Sequence, residues 1–178
     1  NYTRMNGHLT SVSLAGGDTV WSLQRQNARL LPTWVGLGRL TQSLSYNDRG
    51  NMRERVVTDD DDNELQWLEY DYAATGNMAE RVDWLRGTSE EFNYDNLNRL
   101  TGIDTYAMGS LCSESTTYDG KGNILSHATA GQYGYGTAKP YAFNELSDPS
   151  PLIPQRDQHI AFNAMQQPDT ISEDDCIA

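Results

Sequence analysis

Apolar and polar residues alternate with a period of two along much of this chain. Leu68, Tyr70 and Tyr72 fall on one parity, and Phe92 and Tyr94 share a parity further along. Such alternation is typical of a β-strand that is buried on one face and solvated on the other. No window carries a sustained stripe of apolar residues at helical spacing. The pattern therefore predicts an all-β protein.

A short frame interrupts the alternation at regular places. An aromatic residue is followed four positions later by glycine, then by asparagine and an apolar residue. Four copies place the aromatic and the glycine (or an asparagine in its place) at Tyr46 and Gly50, Tyr72 and Gly76, Tyr94 and Asn98, and Tyr118 and Gly122. Looser copies run over residues 2–9 and 34–40, and residues 162–166 keep the aromatic Phe162 but lose the glycine.

The spacing of the frame predicts a repeat architecture. The four tyrosines stand 26, 22 and 24 residues apart, and Phe162 follows Tyr118 by 44 residues. A period in this range indicates one supersecondary unit per repeat. Glycine or asparagine suits a backbone with positive φ, and aspartate or asparagine just before it can hydrogen-bond the turn backbone. Each frame therefore predicts a β-hairpin whose loop of a few residues surrounds the glycine.

The copies of the frame resemble the YD repeat of the Rhs family, which includes Rhs proteins, the C-type subunits of insecticidal Tc toxins and teneurins. The resemblance is carried by YNDRGNM, YAATGNM, NYDNLNRLTGI and TYDGKGNI. Downstream, YGYGTAKPYAF and IAFNAMQQPDTI look like a stretch of bacterial Rhs proteins that precedes their core. Together these segments cover most of the chain from Trp34 to Ile171.

The resemblance implies antiparallel hairpins laid side by side in a long twisted sheet that spirals into part of a hollow shell. In that family the shell encloses a C-terminal toxin or a cleaved effector. The few units present cannot close a cavity, so we expect a strip of wall. The self-cleaving core of the family is not recognisable, and Asp148-Pro149 lacks its surroundings. No catalytic residue is therefore carried over.

The sequence also predicts how the chain is organised. We expect a partial repeat and connection at 1–33, hairpins at 34–130, degenerate repeats at 131–171 with a proline-rich excursion at 144–158, and an acidic tail at 172–178. The predicted strands include 19–24, 38–46, 52–57, 64–72 and 160–165. Residues 108–115 are predicted to be an irregular loop, and Pro168 to kink the chain.

Composition narrows the possible partners. The net charge of −12 argues against a nucleic-acid partner, since phosphate binding needs a basic surface. No apolar run approaches the ~20 residues that span a bilayer. The chain begins inside a repeat unit without a visible signal peptide, so we expect it to be a piece of a longer protein. The resemblance implies a bacterial protein that is secreted or displayed at the cell surface.

No catalytic or cofactor motif is apparent, so we expect neither an enzyme nor a cofactor site. His8, His127 and His159 are far apart and fit no metal-binding spacing. The glycines fit neither a phosphate-binding loop nor a dinucleotide site, because no helix follows them.

Two local features have alternative interpretations. The run Asp59–Asp62 is either a calcium loop or a solvated hairpin tip, and the tip is favoured because the ligand spacing of an EF-type loop is missing. Cys112 and Cys176 stand 64 residues apart without a CxxC motif. Two free thiols are favoured over a single disulfide.

The aromatic residues also allow two interpretations, a carbohydrate or peptide platform and the buried face of a sheet. We favour one aromatic per hairpin stacking on its neighbours, because cross-strand aromatic pairs stabilise a sheet by ~0.2–1 kcal/mol each. A glycan-binding module that uses exposed Trp34, Trp67 or Trp84 is a further alternative.

Two principal functions follow. The first is a non-catalytic structural segment of a shell that encapsulates a toxin or effector domain in a secreted polymorphic toxin. Its partners are the remaining shell, or neighbouring copies, joined through sheet edges, and an enclosed toxin domain. The second is an extracellular adhesion or fibre-forming protein whose copies assemble through exposed sheet edges.

Overall fold

The computed structural model describes residues 1–137, 140–151, 158–165, 167–173 and 176–177. These residues form strands and turns without any helix, which confirms the all-β prediction. Accordingly, this part of the chain contains no helix that could cross a membrane.

Fourteen strands form one antiparallel sheet whose spatial order is the order of the chain. The strands are β1 (Tyr2–Met5), β2 (His8–Ser13), β3 (Thr19–Gln26), β4 (Pro32–Leu37), β5 (Leu40–Tyr46), β6 (Met52–Thr58), β7 (Glu64–Tyr72), β8 (Met78–Asp83), β9 (Thr88–Tyr94), β10 (Leu100–Ala107), β11 (Ser110–Tyr118), β12 (Ile124–His127), β13 (Gly131–Tyr135) and β14 (Phe143–Ser147). A second antiparallel sheet contains β15 (Gln158–Phe162), β16 (Pro168–Glu173) and β17 (Cys176–Ile177).

The chain divides into two compact units. The first comprises Asn1–Arg99 and Ile103–Ser113, and the second comprises Leu100–Gly102 and Glu114–Ala178. In the first unit the loops after β3, β5, β7 and β9 lie at the same end of the strands, because successive hairpins of an antiparallel sheet turn at alternate ends. One period of the frame therefore holds two strands and two loops, one loop at each end of the strands.

Very little of the described chain is fully buried. Val35 and Val57 are 5% and 7% exposed, and they are the only described apolar residues in that state. They share a face, because Val35 lies opposite Gln42 and Gln42 lies opposite Val57. Larger apolar side chains remain half-buried or exposed, so the backbone ladder and its turns, and not a packed interior, hold these strands together.

The predicted strands at 52–57 and 64–72 agree with β6 and β7, whose observed bounds are Met52–Thr58 and Glu64–Tyr72. The loop predicted at 108–115 is wrong. Only Met108 and Gly109 turn the chain there, with φ of 50° and 77°, and β11 begins at Ser110. Two successive positive φ values are typical of a tight hairpin, and Met108 gives no sequence signal for one.

Four predictions for the C-terminal part need correction. β15 ends at Phe162, so the strand predicted over 160–165 stops three residues early and continues as a turn. Pro168 begins β16 and does not kink the chain, since proline is tolerated as the first residue of a strand. β14 occupies part of the predicted excursion at 144–158, of which residues 152–157 lie outside the described residues. Residues 172–173 and 176–177 of the predicted tail belong to strands.

Two glycines of one loop allow a matched test of the backbone geometry. Gly122 has a φ of 95°, whereas Gly120 does not have a positive φ, and both have open space where a Cβ would lie. We expect Gly122→Ala to lower the free energy of unfolding by about 1–2 kcal/mol, because L-residues avoid the left-handed region. Gly120→Ala should be neutral or stabilise by up to ~1 kcal/mol.

The measurement is urea unfolding followed by far-ultraviolet circular dichroism on the two variants and the parent chain. Equal effects of the two substitutions would contradict the assigned turn.

Candidate functional site

The loop between β5 and β6 shows what the repeated frame builds. The N–H of Gly50 donates to the carbonyl of Asn47, and the N–H of Asn47 donates to the carbonyl of Asn51, both at 2.9 Å. Oδ1 of Asn47 accepts the N–H groups of Arg49 and Asn51, both at 3.0 Å. Gly50 has a φ of 89°. The result is a three-residue hairpin loop, a turn followed by one left-handed residue, which the Asn47 side chain closes from inside.

The same closed turn recurs along the chain. In each case the side-chain oxygen of the first turn residue accepts N–H groups from the residues two and four positions later. The first residues of these further turns are Asn27, Asp59, Asp95, Asp119 and Asn163. The loop after β7 keeps the backbone bonds of this turn but begins with Ala73, which has no side-chain acceptor.

Two of these turns lack the repeated frame: the one at Asp59 was predicted as a hairpin tip from its acidic run, and the one at Asn27 was not identified as a turn. The loops Asn27–Leu31 and Asp59–Asn63 follow Gln26 and Thr58, so neither has an aromatic residue before it. Their left-handed residues are Leu30 and Asp62, with φ of 63° and 60°. The signal that could have found them is an aspartate or asparagine that begins a five-residue gap between alternating segments.

The acidic run Asp59–Asp62 therefore forms a hairpin tip, which was the favoured interpretation. The Asp59 carboxylate closes the turn, and Nε of Arg39 lies 3.0 Å from Oδ2 of Asp60.

The predicted frame residues occupy equivalent places in the sheets. Tyr46, Tyr72, Tyr94, Tyr118 and Phe162 each end a strand, and a turn follows each of them. The residues four positions after the tyrosines all have positive φ: Gly50 (89°), Gly76 (94°), Asn98 (60°) and Gly122 (95°). The corresponding residue after Phe162 lies outside the described part of the chain.

Tyrosine hydroxyl groups connect three strand ends, two of them at frame residues, to the preceding repeat. The donors and acceptors are Tyr46 to the Pro32 carbonyl at 2.8 Å, Tyr118 to the Leu100 carbonyl at 2.8 Å, and Tyr135 to the Ile124 carbonyl at 2.9 Å. Every acceptor is the first residue of the strand that follows the preceding closed turn. These bonds recur between repeats, whereas the predicted stacking of one aromatic ring per hairpin stays a prediction.

The environment of these tyrosines keeps the phenol protonated. Burial raises the pKa of Tyr46 and of Tyr72, and the neighbouring Tyr70 adds to the effect at Tyr72. Burial, followed by the negative charge of Asp119, raises the pKa of Tyr135. A neutral phenol remains a hydrogen-bond donor, so the bonds of Tyr46 and Tyr135 should persist well into alkaline conditions.

Polar contacts also link neighbouring turns that lie at the same end of the strands in the first unit. Nη1 of Arg49 donates to the carbonyl of Ala74 at 2.6 Å. One repeat further, Nδ2 of Asn77 donates to Oδ1 of Asn98 at 3.0 Å. Consecutive turns after β5, β7 and β9 are thus fastened to one another.

A second feature of the first unit is a set of carboxylates on one face of β6–β9. Glu54 lies opposite Glu69, Asp71 lies opposite Glu80, and Glu80 lies opposite Glu91. Because residues two apart on a strand share a face, all five carboxylates project to the same side, here called the acidic face. The arginines of these strands, Arg53, Arg55 and Arg81, lie directly next to the acidic positions in sequence, so they alternate with them along β6 and β8.

Tryptophans lie among these carboxylates. The indole N–H of Trp67 donates to Oε1 of Glu54 at 3.0 Å, and that of Trp84 donates to Oε2 of Glu69 at 3.1 Å. The two ring centroids are 5.8 Å apart, and Trp84 remains 51% exposed. Trp34 lies on the same face of the sheet, and the guanidinium of Arg25 lies 5.4 Å from the centre of its ring.

His127 and Cys112 were also considered as functional residues in the sequence analysis. Nδ1 of His127 lies 3.0 Å from the hydroxyl of Thr129 and accepts the Thr129 N–H at 3.3 Å. Cys112 has a free, exposed thiol. Within the described residues, no group of three or more histidine, cysteine, aspartate or glutamate side chains is arranged to hold a metal ion.

These features define a class of protein: a repetitive antiparallel sheet with closed turns and tyrosine bonds between repeats. No protein-family model and no curated protein sequence matches this chain. Solved structures do match it. The crystal structure of TcdB2-TccC3-Cdc42 matches 93% of this chain with a TM-score of 0.66 and 15% identity. The structure of the Photorhabdus luminescens Tc holotoxin pore with a mutation in TccC3 matches 93% with a TM-score of 0.63 and 14% identity.

This chain spans 11% and 10% of the two matched chains. At these identities the likeness concerns the fold, and it places this sheet in the architecture found within those Tc toxin structures.

The tyrosine bond can be tested with a matched pair of variants. The Tyr46 hydroxyl donates to the Pro32 carbonyl, whereas the Tyr94 hydroxyl has no hydrogen-bond partner among the described residues. We expect Tyr46→Phe to lower the free energy of unfolding by about 0.5–1.5 kcal/mol, because a partly buried acceptor loses its donor. Tyr94→Phe should change it by less than ~0.5 kcal/mol. Urea midpoints of both variants provide the check, and a larger loss for Tyr94→Phe would refute the assignment.

The closed turns predict an acid dependence of stability. The Asn63 side chain and then its backbone N–H hold the pKa of Asp59 below its ordinary value of 3.8, and the Arg99 N–H does the same for Asp95. Desolvation pushes the pKa of Asp119 upward, but hydrogen bonds led by the Asn123 N–H outweigh it and the pKa is lowered. A lowered native pKa stabilises the fold above the unfolded value, and this contribution disappears as the pH falls through the native pKa.

The triple variant Asp59→Asn, Asp95→Asn and Asp119→Asn keeps an acceptor in each turn but cannot titrate. We expect its urea midpoint to fall less than that of the parent chain between about pH 5 and pH 2. Asp61→Asn is the control, because Asp61 closes no turn in the described structure. Identical acid profiles for the parent and triple variant would rule out this role.

Proposed function

We propose that this chain is a non-catalytic wall segment of an Rhs-type YD-repeat shell that encloses a toxin or effector domain in a secreted bacterial toxin. The repeated frame supports the family assignment, since each of its four tyrosines is followed by a turn with a residue at positive φ. The fold likeness to structures that contain TccC3 supports the toxin context.

One observation carries the proposal: among the apolar side chains of the described strands, only those of Val35 and Val57 are buried. A protein that worked alone as a globular domain of this length would bury its sheet under a second layer. A wall requires strong in-plane connections and two usable faces. The ladders, closed turns and tyrosine bonds of this chain supply in-plane connections, and they leave both faces available for contents, solvent or other parts of the shell.

The sheet order also supports growth at its two edges. Among the described strands, β1 and β14 each pair with one neighbour in the sheet, so a further strand can add beside each of them in this proposal. In the proposed shell, the preceding and following hairpins of the same protein occupy these positions. In the fibre alternative, other copies of the chain occupy them.

The proposed role requires no reaction. The charged and polar groups at the turns are engaged in hydrogen bonds that close loops or link them. In this role the aromatic residue and the glycine or asparagine of each frame are structural residues, and no cofactor is needed.

The decisive experiment is cryo-electron microscopy of the polypeptide encoded by the complete reading frame that contains this chain. We expect a hollow shell with these strands in its wall and a further domain inside it. Filaments or stalks whose copies join edge to edge would support the fibre alternative and overturn the proposal. A solid globular particle, in which these strands pack around a central core, would overturn both.

A further inference from the structure

We propose that the acidic face of β6–β9 is a docking surface for an extended polypeptide with lysine or arginine at alternating positions. The face consists of Glu54, Glu69, Asp71, Glu80 and Glu91 together with the tryptophans beside them. The inference concerns only the first unit and does not depend on the proposed shell.

The arrangement of like charges is the first argument. Glu54 and Glu69 form a directly opposed pair, and Asp71, Glu80 and Glu91 form a row across three strands. Directly opposed like charges destabilise a sheet, and the strand register places no arginine or lysine of β6–β9 between these carboxylates, although Arg53 near the start of β6 borders the cleft beside them. The arrangement is unfavourable in the free protein and becomes favourable when cations from a partner lie between the carboxylates.

The second argument is the aromatic surface within this charge. The indole N–H of Trp84 is held by Glu69 while half of the side chain stays exposed, so a ring surface faces solvent next to carboxylates. Exposed indole faces attract ammonium and guanidinium groups through the negative potential over the ring. The chain itself shows this contact on the same face, where the Arg25 guanidinium lies over the Trp34 ring.

A cleft of about 570 Å³ lies where these groups meet. Glu69, Asp71, Glu80 and Trp84 contribute to its lining, and Arg53 lines it as well. It is therefore a recess with an aromatic wall and several carboxylates, which suits a cationic side chain better than a neutral or anionic one.

The spacing of the carboxylates argues for a polypeptide. Glu69 and Asp71 are two residues apart on one strand, which places their positions roughly 7 Å apart. Alternate side chains of an extended peptide have the same separation, so lysines at every second position match them. Successive carboxylates of the Asp71–Glu80–Glu91 row stand roughly 5 Å apart across the strands, and the whole array is wider than one small amine.

Charge also excludes a second copy of this chain as the occupant. The net charge is −12, so two copies repel each other, whereas a basic peptide is attracted over about one Debye length.

The probe is a fluorescein-labelled peptide of about eight residues in which Lys and Ser alternate, matched to the strand repeat. Binding is measured by fluorescence anisotropy at about 50 mM salt, where screening is limited. We expect saturable binding that weakens as salt is added. A peptide with the same composition but all lysines in one block should bind several-fold more weakly.

Two variants with the same change in net charge separate the face from the overall charge. The face variant is Asp71→Asn, Glu80→Gln and Glu91→Gln, and the tip variant is Asp60→Asn, Asp61→Asn and Asp62→Asn. We expect the face variant to weaken binding by about tenfold and the tip variant by less than about twofold. Trp84→Leu, which keeps the carboxylates, should weaken binding several-fold. Arg53→Gln should strengthen it by removing a competing cation.

Equal losses for the face and tip variants would overturn the inference, because attraction would then follow net charge alone. Equal affinity for the alternating and block peptides would overturn the proposed match to the strand repeat. Saturable binding of a neutral oligosaccharide with no binding of either peptide would assign the face to glycans instead. Circular dichroism of every variant confirms that a loss of binding is not a loss of fold.

Discussion

The structure depends on one small interaction in each three-residue hairpin loop. The side chain of the residue just before the loop accepts hydrogen bonds from backbone N–H groups in the loop and just after it. Asn47 and its equivalents satisfy N–H groups that the strands leave unpaired, and the left-handed residue three positions later lets the chain reverse. Because every such turn has the same length, the strands that leave it start in the same register. At Tyr46 and Tyr118 the tyrosine before the next such turn then reaches the first carbonyl after the previous one. At these places constant turn geometry supports a bond between repeats.

This way of building a sheet explains why the protein remains ordered with so little burial. Hydrogen bonds run along each ladder, across each turn and between repeats, and they are local in sequence. Only Val35 and Val57 are removed from water in the manner of a core. A surface that is stable without a second layer can present one face to a partner and the other to solvent, which is what a wall or a docking surface needs. The acidic face illustrates the consequence, since like charges persist there on a sheet that other contacts hold together.

Particular residues show how far prediction from the sequence could go. The bounds of β7 and the all-β class follow from alternation, and the frame of Tyr118 and Gly122 marks its turn correctly because glycine is the common residue at positive φ. The frame does not mark the turns at Asn27 and Asp59, where Leu30 and Asp62 take the left-handed conformation without a glycine, and only the acidic run identified the second of them. It also replaced the tight turn at Met108 and Gly109 with a long loop. In these places the paired strands impose a backbone conformation that the residue itself does not favour.

The amino-acid sequence by itself determined the period, the strand character and the positions at which the chain reverses, because these depend on properties of neighbouring residues. Only the tertiary structure decided what meets across the strands. Glu54 and Glu91 are 37 residues apart in sequence, and they belong to one acidic face because hairpin registers place them there. A shift of one residue in any hairpin would move half of this face to the other side, since side chains alternate along a strand. The role of Tyr46, Tyr118 and Tyr135 was decided in the same way, by the carbonyl that the preceding turn places within reach of the hydroxyl.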